Sequence, residues 1–476
     1  MSIKIPVQKD TNTTELQRIF DLQHKNQFKV ANTTDRERRA QLDKLHKAVM
    51  KYRDEIKTAL FKDYRKHPSE VDLTEIYPVT SELKDAKSNV GRWMRKHSVS
   101  TPIALLGSSS YIKYEPKGVV LIISPWNFPI NLTLGPLASA IAAGNVVMIK
   151  PSEMTPHASA VMGKIIKEVF NENEVALVEG GVATSTNLLK LPFNHIFFTG
   201  APSIGKVVMR AAAEHLTSVT LELGGKSPTI VDETANIDAA ARRVAWGKFL
   251  NNGQVCIAPD YLFVHETKKE EFLAKVKEYV KSYYTEDASK QESYARIVNN
   301  RHHGRVKGYI DDAVSKGAKI EIGGASDGNQ DYIAPTVMTN VSKDSTLMTN
   351  EIFGPVLPVY GYTNIQTVID EINSSEKPLA LYIYSSSSKN QNHIIANTRA
   401  GGTCINHSAV HFFNTNLPFG GSNNSGIGKA HGKHGFEAFS NARGVLKQHI
   451  PNALELLLPP YNNFKQTLID LTIKWF

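Results

Sequence analysis

The stretch Gly118–Lys150 reads "GVVLIISPWNFPINLTLGPLASAIAAGNVVMIK", and its apolar pattern decides the fold. "VVLIIS" (Val119–Ser124) and "NVVMIK" (Asn145–Lys150) are short, rich in β-branched residues and uninterrupted, as strands covered on both faces should be. The segment between them, around Leu132–Ala143, predicts a helix. The alternation continues with "VALVEGG" (Val175–Gly181) and "HIFFTG" (His195–Gly200), and with helices predicted around Thr155–Phe170 and Ala183–Leu191. The order βαβαβαβ predicts a parallel sheet with helices on both faces and a ligand crevice beyond the carboxyl ends of its strands.

A second alternating region lies further along. It contains a strand "YLFVHE", a basic helix "KKEEFLAKVKEYVKSYY", a helix around Val306–Ser315, strands "KIEIG" and "LALYIYS", a helix near Gln391–Ala400 and a strand "GGTCINHS". The fold class is therefore α/β with two lobes, and Cys256 lies near the start of the second. Before the first lobe, "TTDRERRAQLDKLHKAVMKYRDEIKTALFKDYRK" reads as a helix opened by a capping box, Thr34-x-x-Glu37. Its apolar positions Leu42, Leu45, Val49, Tyr52, Ile56 and Leu60 form one packing stripe, leaving the charges in water.

A chain of 476 residues with 41% hydrophobic and 21% charged residues has the composition of a globular protein rather than a disordered one. Its formal charge of +9 is scattered, which argues against a nucleic-acid partner and leaves anionic small molecules such as dinucleotides. The two cysteines, Cys256 and Cys404, read as reduced thiols, and "MSIKIPVQKDTNTT" lacks an apolar secretory core, so a cytoplasmic location is expected. No apolar run approaches the roughly 18 to 20 residues of a membrane span. The last segment, "NFKQTLIDLTIKWF", reads as an amphipathic helix covering the protein's own surface, with shallow membrane attachment as the less favoured alternative.

Glycine-rich turns divide. "FFTGAPSIGKVVMRAAAEHL" follows a strand and opens a helix, a context that can cradle phosphate, although its G-x-x-x-x-G spacing is not the dinucleotide fingerprint. "GGKS" at Gly224–Ser227 has Thr220 where a P-loop needs glycine. "GIG" at Gly426–Gly428 reads as a flexible loop. The pairs His302–His303 and His431/His434 lack partners at ligand spacing, so no metal site is expected.

Taken in order, "SPWNFP", "IKPSE", "FFTGAPSIG", "LELGGKSP", "GQVCIAPD", "EIFGPV" and "LPFGGSNNSGIG" closely resemble the aldehyde dehydrogenase superfamily over nearly the whole chain. "IAPD" after Cys256 and "HGK" at His431–Lys433 resemble its class 3 group, which includes the fatty aldehyde dehydrogenases. Departures from common family patterns fall at Ala201–Pro202 and Ser422–Asn424. The resemblance implies an NAD(P)-binding domain over 1–221, with a helical start, a Rossmann-like sheet and an oligomerisation element near 100–118. A catalytic domain over 222–400 and a bridging, dimerisation and C-terminal segment over 401–476 complete it.

The implied reaction is NAD(P)-dependent oxidation of medium- or long-chain aliphatic or aromatic aldehydes to acids by a homodimer. Cys256 is the nucleophile, because a thiolate adds to a carbonyl where a neutral hydroxyl does so poorly. Its thiol needs a lowered pKa or a nearby base. Cys404, with no comparable motif, reads as structural. The Asn127 amide and the Cys256 backbone N–H are the oxyanion donors, and Glu222 is the base for thioester hydrolysis, a role that needs burial to raise its pKa. The resemblance gives Lys150 and Glu153 to the adenine ribose, Gly200 and Gly205 to the pyrophosphate turn, and Glu351 and Phe353 to the nicotinamide ribose and ring. Trp126 and Leu223 complete the cofactor set. Glu153 tilts the expectation toward NAD, since a carboxylate accepts from hydroxyls and repels a 2′-phosphate. A CoA-acylating relative and a non-enzymatic dinucleotide-binding protein are the alternatives.

Overall fold

The computed structural model describes residues 8–451 and 453–475. The first seven residues, half of the stretch read as lacking a secretory core, and Phe476 lie outside them. Six strands form the first sheet, in the order Gly426–Ile427, Ser218–Leu223, His195–Gly200, Val119–Ile123, Val146–Lys150 and Val175–Leu177. The last five are parallel. Every residue of Val119–Ile123 and Val146–Lys150 is buried, which is why their sequence is continuously apolar instead of alternating. Helices Asn131–Ala143, Pro156–Val169 and Val182–Leu188 connect these strands near the predicted positions.

From Val119–Ile123 the chain runs outward to one edge, then returns with His195–Gly200 on the other side. The order therefore reverses between these two strands, and the crevice at such a reversal is where α/β sheets hold ligands. Trp126 and Asn127 follow one strand there, and Gly200 ends the other, with Ala201 after it. Contrary to the loop reading, Gly426–Ile427 is a short antiparallel strand that pairs Gly426 with Glu222. Two residues are too few to carry a periodic signal.

The second sheet has seven strands, in the order Lys319–Ile322, Thr336–Thr339, Val356–Tyr362, Tyr261–His265, Pro228–Val231, Ala380–Tyr384 and Gly402–Ile405. All neighbours are parallel except the first pair. A third, antiparallel sheet joins His97–Val99 and Ser108–Pro116 to Ser440–Gln448, so residues far apart in the chain share one ribbon. The capping box at Thr34 is present, with Glu37 N–H on Thr34 Oγ1 at 3.3 Å and Thr34 N–H on the Glu37 carboxylate at 2.7 Å. The helix it opens breaks at Tyr52 into Asp35–Lys51 and Arg53–Tyr64, a break that the continuous apolar stripe hides. The helix predicted from Val306 starts earlier, at Asn300, capped by the Asn299 side chain. Among the described residues no helix is long and apolar enough to cross a membrane.

Candidate active site

The loop before Cys256 bends through three consecutive left-handed residues, Asn251, Asn252 and Gly253, at φ 52°, 56° and 70°. Asparagine tolerates this region better than most residues. At Gly253 a side chain is excluded twice over, because a Cβ there would lie 2.2 Å from the Gly354 carbonyl oxygen. The buried Gln254 side chain then pins the turn. Its Nε2 donates to the Asn251 and Arg296 carbonyls at 3.0 Å each, and its Oε1 accepts the Val298 N–H at 3.0 Å. Cys256 follows, partly exposed.

Asn127 is tied to that same loop. Its Nδ2 donates to the Gln254 carbonyl at 3.0 Å, leaving its second N–H for another acceptor. Its own carbonyl accepts from the Tyr64 hydroxyl at 3.0 Å and from Asn251 Nδ2 at 2.9 Å. Beneath lies an ion pair that composition could not reveal. Lys66 and Glu75, both with 0% side-chain exposure, are 3.1 Å apart. Lys66 Nζ sits 4.1 Å over the Phe128 ring, while Glu75 Oε2 accepts the Asn131 N–H at 2.9 Å. Glu75 is carried by a single π-helical turn, Asp72–Ile76. Nearby, Glu70 accepts the Asn251 N–H at 3.0 Å, and burial pushes its carboxyl up to about 7.

Glu222 is 5% exposed, and neither carboxyl oxygen has a hydrogen-bond partner. Burial holds its pKa well above the usual carboxylate range, with the Lys429 ammonium acting the other way. This is the burial expected of a base that works near neutrality. Glu351 is pushed up to about 8, first by burial and then by Asp260. The Cys256 thiol is driven up, not down, to about 12, first by burial and then by the Glu351 and Glu222 carboxylates. The backbone N–H groups of Cys256 and Ile257 oppose that shift. Of the two alternatives for activating the thiol, the structure does not show the first, a lowered pKa. Burial, the main cause, leaves the resting thiol neutral at pH 7, and the two carboxyls add to the shift only when ionised.

One crevice of about 1100 Å³ at the strand reversal is lined by Asn127, Glu222 and Cys256 together with Trp126, Gly200, Leu223, Glu351 and Phe353. Glu351 Oε1 is buried there without a partner, an acceptor suited to a ribose hydroxyl. At Gly224 a Cβ would lie 2.3 Å from Glu351 Oε2, so only glycine lets this carboxylate approach the backbone. These features fit a dinucleotide. Three predicted cofactor residues stand apart from the crevice wall. Lys150 Nζ pairs with Glu153 at 3.0 Å, and Gly205 lies in the first turn of helix Pro202–Ala213, where a Cβ would strike Leu223.

Sequence reasoning missed His302, Arg305 and Tyr309, which also line the crevice. Arg305 donates to the Ile352 and Phe353 carbonyls at 2.8 and 3.1 Å, strapping down the Glu351–Phe353 segment. It missed too the apolar chamber of about 480 Å³ that reaches Cys256 past Phe128, Trp246, Phe412 and Phe413. These residues come from distant segments without a shared motif. Cys404 is half-buried and packs against the core of the second lobe.

A buried carboxylate, an amide tied to the cysteine loop and a sulfur line one crevice, and the comparisons with known proteins give the family of the chain. Residues 5–445 match the aldehyde dehydrogenase family, and the chain belongs to it. Within the family it falls with the class 3-like group. It is 42% identical over 412 residues to the rat dimeric NADP-preferring aldehyde dehydrogenase, covering 87% of this chain and 90% of that one. It is 41% identical over 424 residues to the 4,4'-diaponeurosporen-aldehyde dehydrogenase of Staphylococcus aureus, covering 89% and 92%. The solved structure of substrate-bound Staphylococcus aureus AldH superposes with a TM-score of 0.92 at 38% identity, covering 96% of this chain and 99% of that one. The protein is an aldehyde dehydrogenase that uses NAD or NADP.

Proposed function

We propose that Cys256, Asn127 and Glu222 carry out the oxidation, and that the aldehydes are medium- or long-chain aliphatic or aromatic. The supporting observation is a single crevice that holds all three groups, with Asn127 hydrogen-bonded to the residue two before the cysteine. Cys256 loses its thiol proton to solvent water, and its Sγ adds to the aldehyde carbonyl. Asn127 Nδ2 and the Cys256 N–H hold the oxyanion through donors already oriented before the reaction. Bound NAD(P) would supply the hydride acceptor for conversion of the adduct on Cys256 to a thioester. Glu222 then takes a proton from the water that attacks the thioester, releasing the acid and restoring the thiol.

Glu351 and Phe353 would hold the nicotinamide side of the cofactor, and Lys150 and Glu153 the adenine ribose. Trp126, Leu223 and the turn at Gly200 and Gly205 would frame the rest. On this reading residues 1–221 supply the cofactor domain, 222–400 the catalytic domain and 401–476 the bridging segment. A cytoplasmic homodimer fits the two free cysteines and the dimeric relative. The test is a series of aldehydes of increasing chain length, assayed with NAD and NADP in parallel and without CoA. Oxidation that is lost in Cys256→Ala supports the reading. Turnover that requires CoA, or that survives in Cys256→Ala, overturns it.

A further inference from the structure

Asn251 is the junction of the loop that carries Cys256. Its Nδ2 donates to the Asn127 carbonyl at 2.9 Å and to the Gln254 carbonyl at 3.2 Å. The Gln254 carbonyl is also the acceptor on which the Asn127 amide rests, so one side chain grips Asn127 at its backbone and at the anchor of its amide. Asn251 and Asn252 are consecutive left-handed residues other than glycine, a conformation that persists only where the surroundings impose it. Leu250 leaves helix Ile237–Phe249 at ψ 136°, which takes the Asn251 N–H off the helical ladder. That N–H is donated instead to Glu70 Oε1 at 3.0 Å, across 181 positions of sequence. Glu70 stands in helix Pro68–Val71, which runs without a gap into the π-helical turn Asp72–Ile76 and helix Tyr77–Trp93. It lines neither the crevice nor the apolar chambers that reach Cys256, and so does not touch substrate.

A carboxyl oxygen carried on a continuous helical run gives this N–H an acceptor with a fixed position, which water would not. We propose that Glu70 is a positioning residue: its carboxyl fixes Asn251, and Asn251 in turn keeps the Asn127 amide aimed at the oxyanion. Without that carboxyl the Asn251 N–H loses its acceptor and the left-handed bend relaxes. The Asn127 and Gln254 carbonyls then lose the fixed donor they share, and the amide that rests on Gln254 moves with them. The proposal rests on the reading of Asn127 as an oxyanion donor.

A double-mutant cycle on kcat tests this, because it reports whether two residues act through one another. Glu70→Ala should lower kcat by about ten- to hundredfold, the loss that follows when a reacting group is misplaced by about 1 Å, while KM stays within about threefold. In an Asn127→Ala background no amide is left to position, and the same substitution should lower kcat by no more than about threefold. Glu70→Gln keeps a carbonyl acceptor for the Asn251 N–H and should restore most of the lost kcat. The same cycle run with Glu70→Asp, whose carboxyl is drawn back by one methylene, decides the matter if the alanine variant does not fold. Equal losses of kcat in the two backgrounds, or a loss carried by KM, would show a purely structural role and overturn the proposal while the oxyanion reading stands. If Asn127→Ala alone leaves kcat unchanged, the oxyanion reading fails and the proposal falls with it.

Discussion

Replacing Asn127 by alanine separates the catalytic use of its amide from its structural use. The structural loss is small, because three of the four contacts around this residue survive. Its carbonyl keeps the Tyr64 hydroxyl and Asn251 Nδ2, and the Gln254 carbonyl keeps Asn251 Nδ2 at 3.2 Å. Only the 3.0 Å bond from Asn127 Nδ2 disappears, at a cost of about 1 kcal/mol. Unfolding entropy of about 2.1 cal/mol/K per residue converts this to a Tm shift of about 1 °C in 476 residues. The catalytic loss is larger, since removing one oxyanion donor lowers kcat by about 10²–10³. Steady-state kinetics and a melting curve on the same preparation read both. A tenfold or smaller fall in kcat, or a loss of stability large enough to explain the fall, would refute the oxyanion role.

Lys66→Met leaves Glu75 buried without its cation, which should cost about 3–5 kcal/mol and lower Tm by a few degrees. The double variant Lys66→Met/Glu75→Leu should recover much of that; a double variant less stable than the single one would show the pair is not what matters. Glu351→Gln removes a carboxyl that ionises at about pH 8, so the pKa of the Cys256 thiol should fall. Alkylation rates measured against pH in a Cys404→Ser background should diverge from those of the parent only above about pH 8, the faster rate belonging to the Gln variant. A difference already present at pH 6 would contradict this.

The strands were legible because burial on both faces leaves an unbroken apolar run, as in Val119–Ile123 and Val146–Lys150. Cys256, Asn127 and Glu222 were legible because each sits in a contiguous motif, and the crevice brings all three together. The break at Tyr52 was not, since both helices keep their stripe in register across it. Nor was the strand at Gly426, whose partner lies about two hundred positions earlier. Lys66 and Glu75 look in sequence like any surface pair nine residues apart, and only the packing of the Asn127 loop above them shows that they are buried. The raised thiol pKa was hidden for the same reason: the two carboxylates acting on Cys256, Glu222 and Glu351, come from distant segments of one pocket wall.

The most direct test of the three-residue account is the intact mass of Glu222→Gln after mixing with an aldehyde and NAD(P). Glutamine fills the same space but cannot take the proton from water, so the acyl group should remain on Cys256. About one equivalent of reduced cofactor per site should appear before turnover stalls. Normal steady-state turnover by this variant, or a burst with no mass added at Cys256, would contradict the account.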